Sequence, residues 1–188
     1  MKSLTDKIWY TYKARIRASE RLQSNDTHSQ YLLVWYALIT TALSIINIRY
    51  PEILGSNTDI SSAVMSVALL VVSLLVTNTD YRGRAIQMRK NYLDLQHLYN
   101  SLLSQMSLLA PTQEMANQYA TLLSDSENHL SIDDKYWRVM ITKAANLSRP
   151  AAKQEYCIVY TYILIRISYL LVLYLLPLLA GLSLLHNK

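Results

Sequence analysis

Residues 31–48 read YLLVWYALITTALSIINI, a run with no charged side chain. As a helix it is about 27 Å long, close to the roughly 30 Å of a bilayer's hydrocarbon core. Two further charge-free runs follow: ISSAVMSVALLVVSLLVTNT at 60–79 and ISYLLVLYLLPLLAGLSLLHN at 167–187. A soluble helix of this length keeps a polar stripe toward water, and none of the three has a charged one. The expected fold is all-α: an integral membrane helical protein with a transmembrane hairpin, a long cytoplasmic helical extension and a C-terminal third span. The division expected is 1–29 (cytoplasmic amphipathic helix), 30–79 (hairpin), 80–155 (cytoplasmic helical region) and 156–188 (C-terminal span).

Composition agrees once it is read locally. The 188 residues carry 18 Lys+Arg and 13 Asp+Glu, net +5, and charged residues make up 16%, against about 25% in soluble domains. The mean hydropathy is just above zero because apolar spans are averaged with a basic remainder. Three Gly and four Pro are too few for a turn-rich β fold or a Gly-rich phosphate loop. One Cys excludes an intrachain disulfide framework or a multi-Cys metal cluster. Phe is absent while Tyr occurs 15 times, partly at interfacial positions such as Tyr31 and Tyr50. The polar 29 residues before the first apolar run do not read as a cleavable signal.

Basic residues orient the spans. Lys2, Lys7, Lys13, Arg15, Arg17 and Arg21 precede the first, and Arg82, Arg84, Arg89, Lys90, Lys135, Arg138, Lys143, Arg149 and Lys153 lie between the second and third. The intervening 49–59 loop, with Pro51 and Gly55, has only Arg49. The positive-inside bias therefore places the N-terminus and 80–155 in the cytoplasm of a multi-pass membrane protein. In the third apolar segment, 157–185, Arg166 interrupts the run. A crossing that begins near Ile165 leaves Arg166 at the inner interface. One that begins near Tyr156 buries it, at about 2.5–3.5 kcal/mol on insertion scales. Pro177 is expected to kink this helix.

The first 26 residues place Leu4, Ile8, Tyr12, Ile16 and Leu22 at helical spacing, a helix expected to end near Asn25. It either lies on anionic lipid or packs its Trp9–Tyr12–Ile16 side on other helices. From Tyr81, apolar residues at Tyr81, Ala85, Met88, Tyr92, Leu95, Tyr99, Leu102, Met106 and Leu109 alternate spacings of four and three up to Pro111. That is a coiled-coil-type seam on a helix continuing the second span. The seam binds either another protomer or the chain's own helices. A helix restarts at Pro111-Thr112 and breaks at 124–126. Another is expected over 132–146, with Ile132, Tyr136, Met140 and Lys143 sharing a face.

No catalytic constellation emerges, so an enzyme is not expected. His28, His97, His129 and His186 lack helical partners for a metal site, and no cofactor is called for. The one polar cluster, Glu127-Asn128-His129 before Asp133-Asp134, is either a switch through His129 and Asp133 or a capping turn, with Asn128 ending one helix and Ser131 or Asp133 starting the next. Within the spans, Thr40, Ser44 and Asn47, and Ser62, Ser66, Ser73 and Thr77, recur at helical spacing. Such stripes either pack helices closely or line a water-filled path. The first two spans hold no acid, which argues against proton-coupled transport. The region 80–155 nets only +1, nine bases less eight acids, so direct nucleic-acid binding is not expected.

KIWYTYKARIRASERL at 7–22, the two close spans, the helix after Asp80 and ENHLSIDDKYW at 127–137 together resemble the SLATT domain, in its branch with an added C-terminal apolar segment. The matching positions are Trp9, Lys13, Arg15 and Arg17, then Asn128, His129 and Asp133, with Asp134 the other candidate for the acid. The resemblance implies a membrane effector of a prokaryotic anti-phage system. Such an effector oligomerises and forms a pore, or perturbs the inner membrane, when a partner triggers it, causing growth arrest or death in abortive infection. It implies a nearby-encoded reverse transcriptase or nucleotide-signalling protein as partner, with the lipid bilayer and a homo-oligomer as the setting. On that reading the hydroxyl stripes line the path, and Arg15, Arg17, Arg82 and Arg84 crowd its inner mouth or bind lipid phosphates. The alternative is a non-conducting anchor that recruits a cytoplasmic partner through the 81–109 seam.

Overall fold

A computed structural model describes residues 4–50, 58–105, 113–141 and 148–186, which are mostly helical with no strand among the described residues. The helices are α1 (Leu4–Arg49), α2 (Thr58–Thr79), α3 (Tyr81–Gln105), α4 (Gln113–Ser124), α5 (Ser131–Ile141) and α6 (Lys153–His186). Three of them are long and apolar enough to cross a membrane: α1, the stretch 60–104 and α6.

The expected end of the first helix near Asn25 does not occur. The sequence 4–49 has no Gly or Pro to stop it, and α1 runs unbroken for 46 residues. The polar Asn25-Asp26-Thr27-His28-Ser29 stretch, which reads as a terminator, is simply the helix's polar girdle. The second span and α3 are separated by one residue. Asp80 adopts φ 43°, a left-handed conformation that Asp tolerates better than most residues, and its N–H donates to Thr77 O at 3.2 Å. The expected 132–146 helix is described as far as Ile141. Pro51, Gly55, Met106, Leu109, Pro111, Thr112 and Lys143 lie outside the described residues.

The chain divides into two compact units: Met1–Ser24 with Tyr81–Tyr162, and Asn25–Asp80 with Ile163–Lys188. In the first, Ile8 and Tyr12 of α1 pack with Leu95, Leu98 and Leu102 of α3 and Met115 of α4. Farther along, Ala18 and Leu22 meet Ala85 and Met88, with Tyr81 beside them. Small residues let these two helices approach: Ser19 Oγ donates to the Ala85 carbonyl at 3.1 Å. The apolar seam of α3 is thus covered by α1 and α4 of the same chain.

In the second unit, α1 and α6 run parallel. Asn25 accepts from Arg166 at 3.0 Å, while Tyr36 and Trp35 donate to the carbonyls of Leu173 and Tyr174 at 2.9 and 3.1 Å. Both sequences ascend together. Helix α2 turns back, with Ser44 and Ser62 hydroxyls 3.1 Å apart. Apolar side chains of α2 such as Val64, Val67, Leu70 and Leu75 are exposed, as lipid-facing residues are.

Candidate functional site

The residues carrying the family resemblance converge on α5 and the turn before it. Trp9 of α1 meets Trp137 of α5 edge to face, with ring centroids 4.8 Å apart. The Lys13 ammonium lies 5.0 Å from the Tyr12 ring centroid and 5.5 Å from that of Trp137, and burial lowers its pKa. The Arg17 guanidinium stacks 3.7 Å above the Tyr136 ring, a contact that Arg's planar, weakly hydrated head favours.

Arg15 is almost wholly buried, at 1% exposure. It reaches the C-terminal end of α4, where the last carbonyls have no helical donors of their own. Its guanidinium donates to Leu122 O at 3.1 Å and Leu123 O at 3.2 Å, and to Asn91 Oδ1. Asn91 in turn donates to Leu122 O at 2.7 Å. A cation at the negative end of the helix dipole is favourable. Burial still lowers the Arg15 pKa, and its Nε has no partner. Burial and then the Arg15 charge lower the His129 pKa, against Asp134 and Asp133, which raise it. Its Nδ1 is buried without a partner.

Asp133 is almost wholly buried, at 1% exposure. It stands third in α5 and accepts the Leu130 N–H at 3.0 Å, the N3 half of a capping box. Its carboxylate also takes Arg21 Nε at 2.9 Å and Nη at 3.1 Å. The same device recurs at the start of α6. There Glu155 accepts the Ala152 N–H at 2.9 Å and grips Arg138 of α5 at 2.5 and 2.6 Å. Hydrogen bonding from Arg138 holds the Glu155 carboxyl below its usual range, against its desolvation. Asp134 completes the clamp on Arg138 at 3.0 Å. Helix α5 is therefore bolted to α1 through Asp133 and to α6 through Arg138.

Several expectations change. The buried face of α5 carries Asp133, Trp137, Arg138 and Val139, while Met140 is 37% exposed. The Ile132–Tyr136–Met140 face follows apolar spacing, but the charged residues go inside because they are paired. Asn128 does not end α4, which stops at Ser124, and residues 127–130 are non-helical. His129 and Asp133 are thus not helical neighbours. Of the four arginines expected at an inner mouth or on lipid phosphates, Arg15 is buried, Arg17 pairs with Glu20 at 3.1 Å, and Arg84 makes a forked pair with Glu127 at 2.8–3.1 Å. Of the four, Arg82 remains exposed.

Of the seam residues, Met88, Leu95 and Leu102 are buried, and Tyr81, Tyr92 and Tyr99 pack partly against the core. The stripe residues divide. Thr40 is 8% exposed, Asn47, Ser62 and Ser73 are half-buried, and Ser44, Ser66 and Thr77 are exposed. Most hydroxyls fold back on the preceding turn: Thr40 to Tyr36 O, Ser44 to Thr40 O, Ser66 to Ser62 O and Thr77 to Ser73 O, at 2.8–3.0 Å. Asn47 Oδ1 is buried without a partner. Sequence reading missed Arg21 and the Arg138–Glu155 pair. The Asp134–Arg138 spacing of four, and a Glu in the first turn after Pro150, were the available signals.

Among the described residues no group of His, Cys, Asp and Glu is arranged to hold a metal. What the arrangement does chemically is hold three helices by buried charge. Compared with family profiles, residues 1–182 match the SMODS and SLOG-associating 2TM effector domain family 5. No curated protein and no solved structure matches.

Proposed function

The chain belongs to the SMODS and SLOG-associating 2TM effector domain family 5, a family of membrane effectors in conflict systems, and from that premise we propose that it is the membrane-acting output of an anti-phage system. Held inactive until a partner signals, it oligomerises through its membrane unit in the inner membrane. It then forms a pore or perturbs the bilayer, stopping growth of the infected cell. Its N-terminus and the 80–155 region face the cytoplasm, where a nearby-encoded reverse transcriptase or nucleotide-signalling protein supplies the trigger. The observation that carries the reading is the bolting of α5: the helix that follows the family's Asn128-His129 turn and carries Asp133 ties together α1 and α6, both of which continue as candidate spans. A partner that loosens α5 acts on both at once.

The parallel register of α1 and α6 supports this topology. Arg166 meets α1 at Asn25, ahead of the apolar run at residue 31, which favours its placement at the inner interface. The anchor alternative requires a free seam on α3, and Leu95 and Leu102 are instead buried at 0% and 1% exposure. Replacing residues 30–79 with an unrelated two-span hairpin separates the two readings. Growth arrest is lost if the spans act on the membrane. Retained arrest, with the chimera in the membrane, supports the anchor.

A further inference from the structure

Inside a bilayer there is no water to bond a carbonyl that loses its helical donor, so each such group must find a partner in the protein. Pro177 lies within α6. Having no N–H, it leaves the carbonyl four residues earlier, that of Leu173, without its α-helical donor, and its ring crowds the same turn. The Tyr36 hydroxyl of α1 donates to that carbonyl at 2.9 Å. One residue on, the Tyr174 carbonyl receives Trp35 Nε1 at 3.1 Å. Tyr174 reaches back through its own hydroxyl to His28 Nδ1 at 3.4 Å, its ring edge-on to the imidazole. Tyr36 and Trp35 sit on successive residues, so two donors reach two successive carbonyls of the opened turn.

We propose that Pro177, Tyr36 and Trp35 form a latch: the proline opens a backbone acceptor on α6 that an α1 ring donor closes, locking the third span beside the first. The domain then works as a three-span unit in which α1 and α6 move together, although its family is named for two spans. Rearrangement on triggering falls to α2, which meets α1 through the Ser44–Ser62 contact. The latch stands whether or not the protein conducts, because it concerns helix pairing.

A double-mutant cycle on the full-length protein in lipid nanodiscs tests it, reading the unfolding equilibrium by loss of helical signal in a denaturing-detergent titration. With Pro177 present, Tyr36→Phe shifts the equilibrium toward the unfolded form by about 3-fold to 17-fold, the size of an interhelical hydrogen bond in a bilayer. With Pro177→Ala, the new N–H reclaims the Leu173 carbonyl and Tyr36→Phe shifts it less than about twofold. An equal shift in both backgrounds overturns the latch, since the loss of the hydroxyl would then not depend on residue 177. If the Pro177→Ala variant is not recovered, Tyr36→Phe is set against Tyr31→Phe, where Tyr31 is 64% exposed. A shift confined to Tyr36→Phe upholds the latch, and equal shifts overturn it.

Discussion

The two units are held by opposite means. The unit of Met1–Ser24 and Tyr81–Tyr162 buries charge in pairs, with Arg21 on Asp133 and Arg138 on Asp134 and Glu155. In the unit of Asn25–Asp80 and Ile163–Lys188, α1 and α6 meet through uncharged ring donors on backbone carbonyls and, at the end nearer Asn25, through Arg166 on the Asn25 amide oxygen. The solvent explains the difference. Water beside the first unit screens and solvates charges that come loose, so a paired guanidinium can serve as a releasable bolt. In hydrocarbon a freed charge is far costlier than a freed carbonyl, so the contacts deepest in the apolar runs, those of Trp35 and Tyr36, are neutral.

The largest effect expected is at Arg138. Arg138→Ala strands Asp134 and Glu155, 19% and 16% exposed, and destabilises the folded chain by about 3–5 kcal/mol, as breaking a buried pair does. Thermal unfolding in nanodiscs reads it, and a change under about 1 kcal/mol would mean that the pair is not buried as described. Asp133→Asn follows. It keeps the shape of the cap but loses the charged acceptor for Arg21, and costs about 1.5–3 kcal/mol. Paired with Arg21→Gln the loss shrinks, because no cation is left uncompensated. If the double variant is as impaired as the two single losses summed, the Arg21–Asp133 contact is incidental.

A pH titration sharpens the contrast without mutation. His129 is pushed below its ordinary 6.5, so below about pH 6.5 the unfolded chain takes up the proton first and stability falls. Glu155 is held below its ordinary 4.5. Its contribution is full above that value and is lost as pH drops through the lowered folded pKa. Stability should therefore decline in two stages on acidification, and His129→Asn should remove the earlier one. A decline near pH 6 that survives His129→Asn assigns it to another group. The smallest effect belongs to the forked but open pair: Arg84 and Glu127 are 39% and 38% exposed, and Arg84→Ala should cost about 0.2–1 kcal/mol, less in high salt.

The spans were legible because a charge-free run of bilayer length has few other readings. The seam of α3 was legible as spacing, but its partner was not: nothing in the heptads says that Ala18 and Leu22, far upstream in the chain, cover Ala85 and Met88. Asn25 and its polar neighbours have the composition of a helix end, whereas Asn25 sits within α1 and faces Arg166. The clamp was half legible. Asp133 and Arg15 stood out through the family motif, yet Arg21 pairs with an acid 112 residues away, a relation that no local periodicity encodes. The α5 face was misjudged for the same reason, since a paired charge behaves as a core residue and breaks the apolar pattern.

An effector of the kind proposed acts on the membrane itself. The most direct measurement is membrane potential, followed with a voltage-sensitive dye while the intact chain is expressed with its neighbouring genes and the cells are challenged with phage. The account predicts depolarisation that precedes growth arrest and is absent when residues 30–79 are replaced by an unrelated hairpin. Full potential through the arrest, with the protein present in the inner membrane, would contradict it.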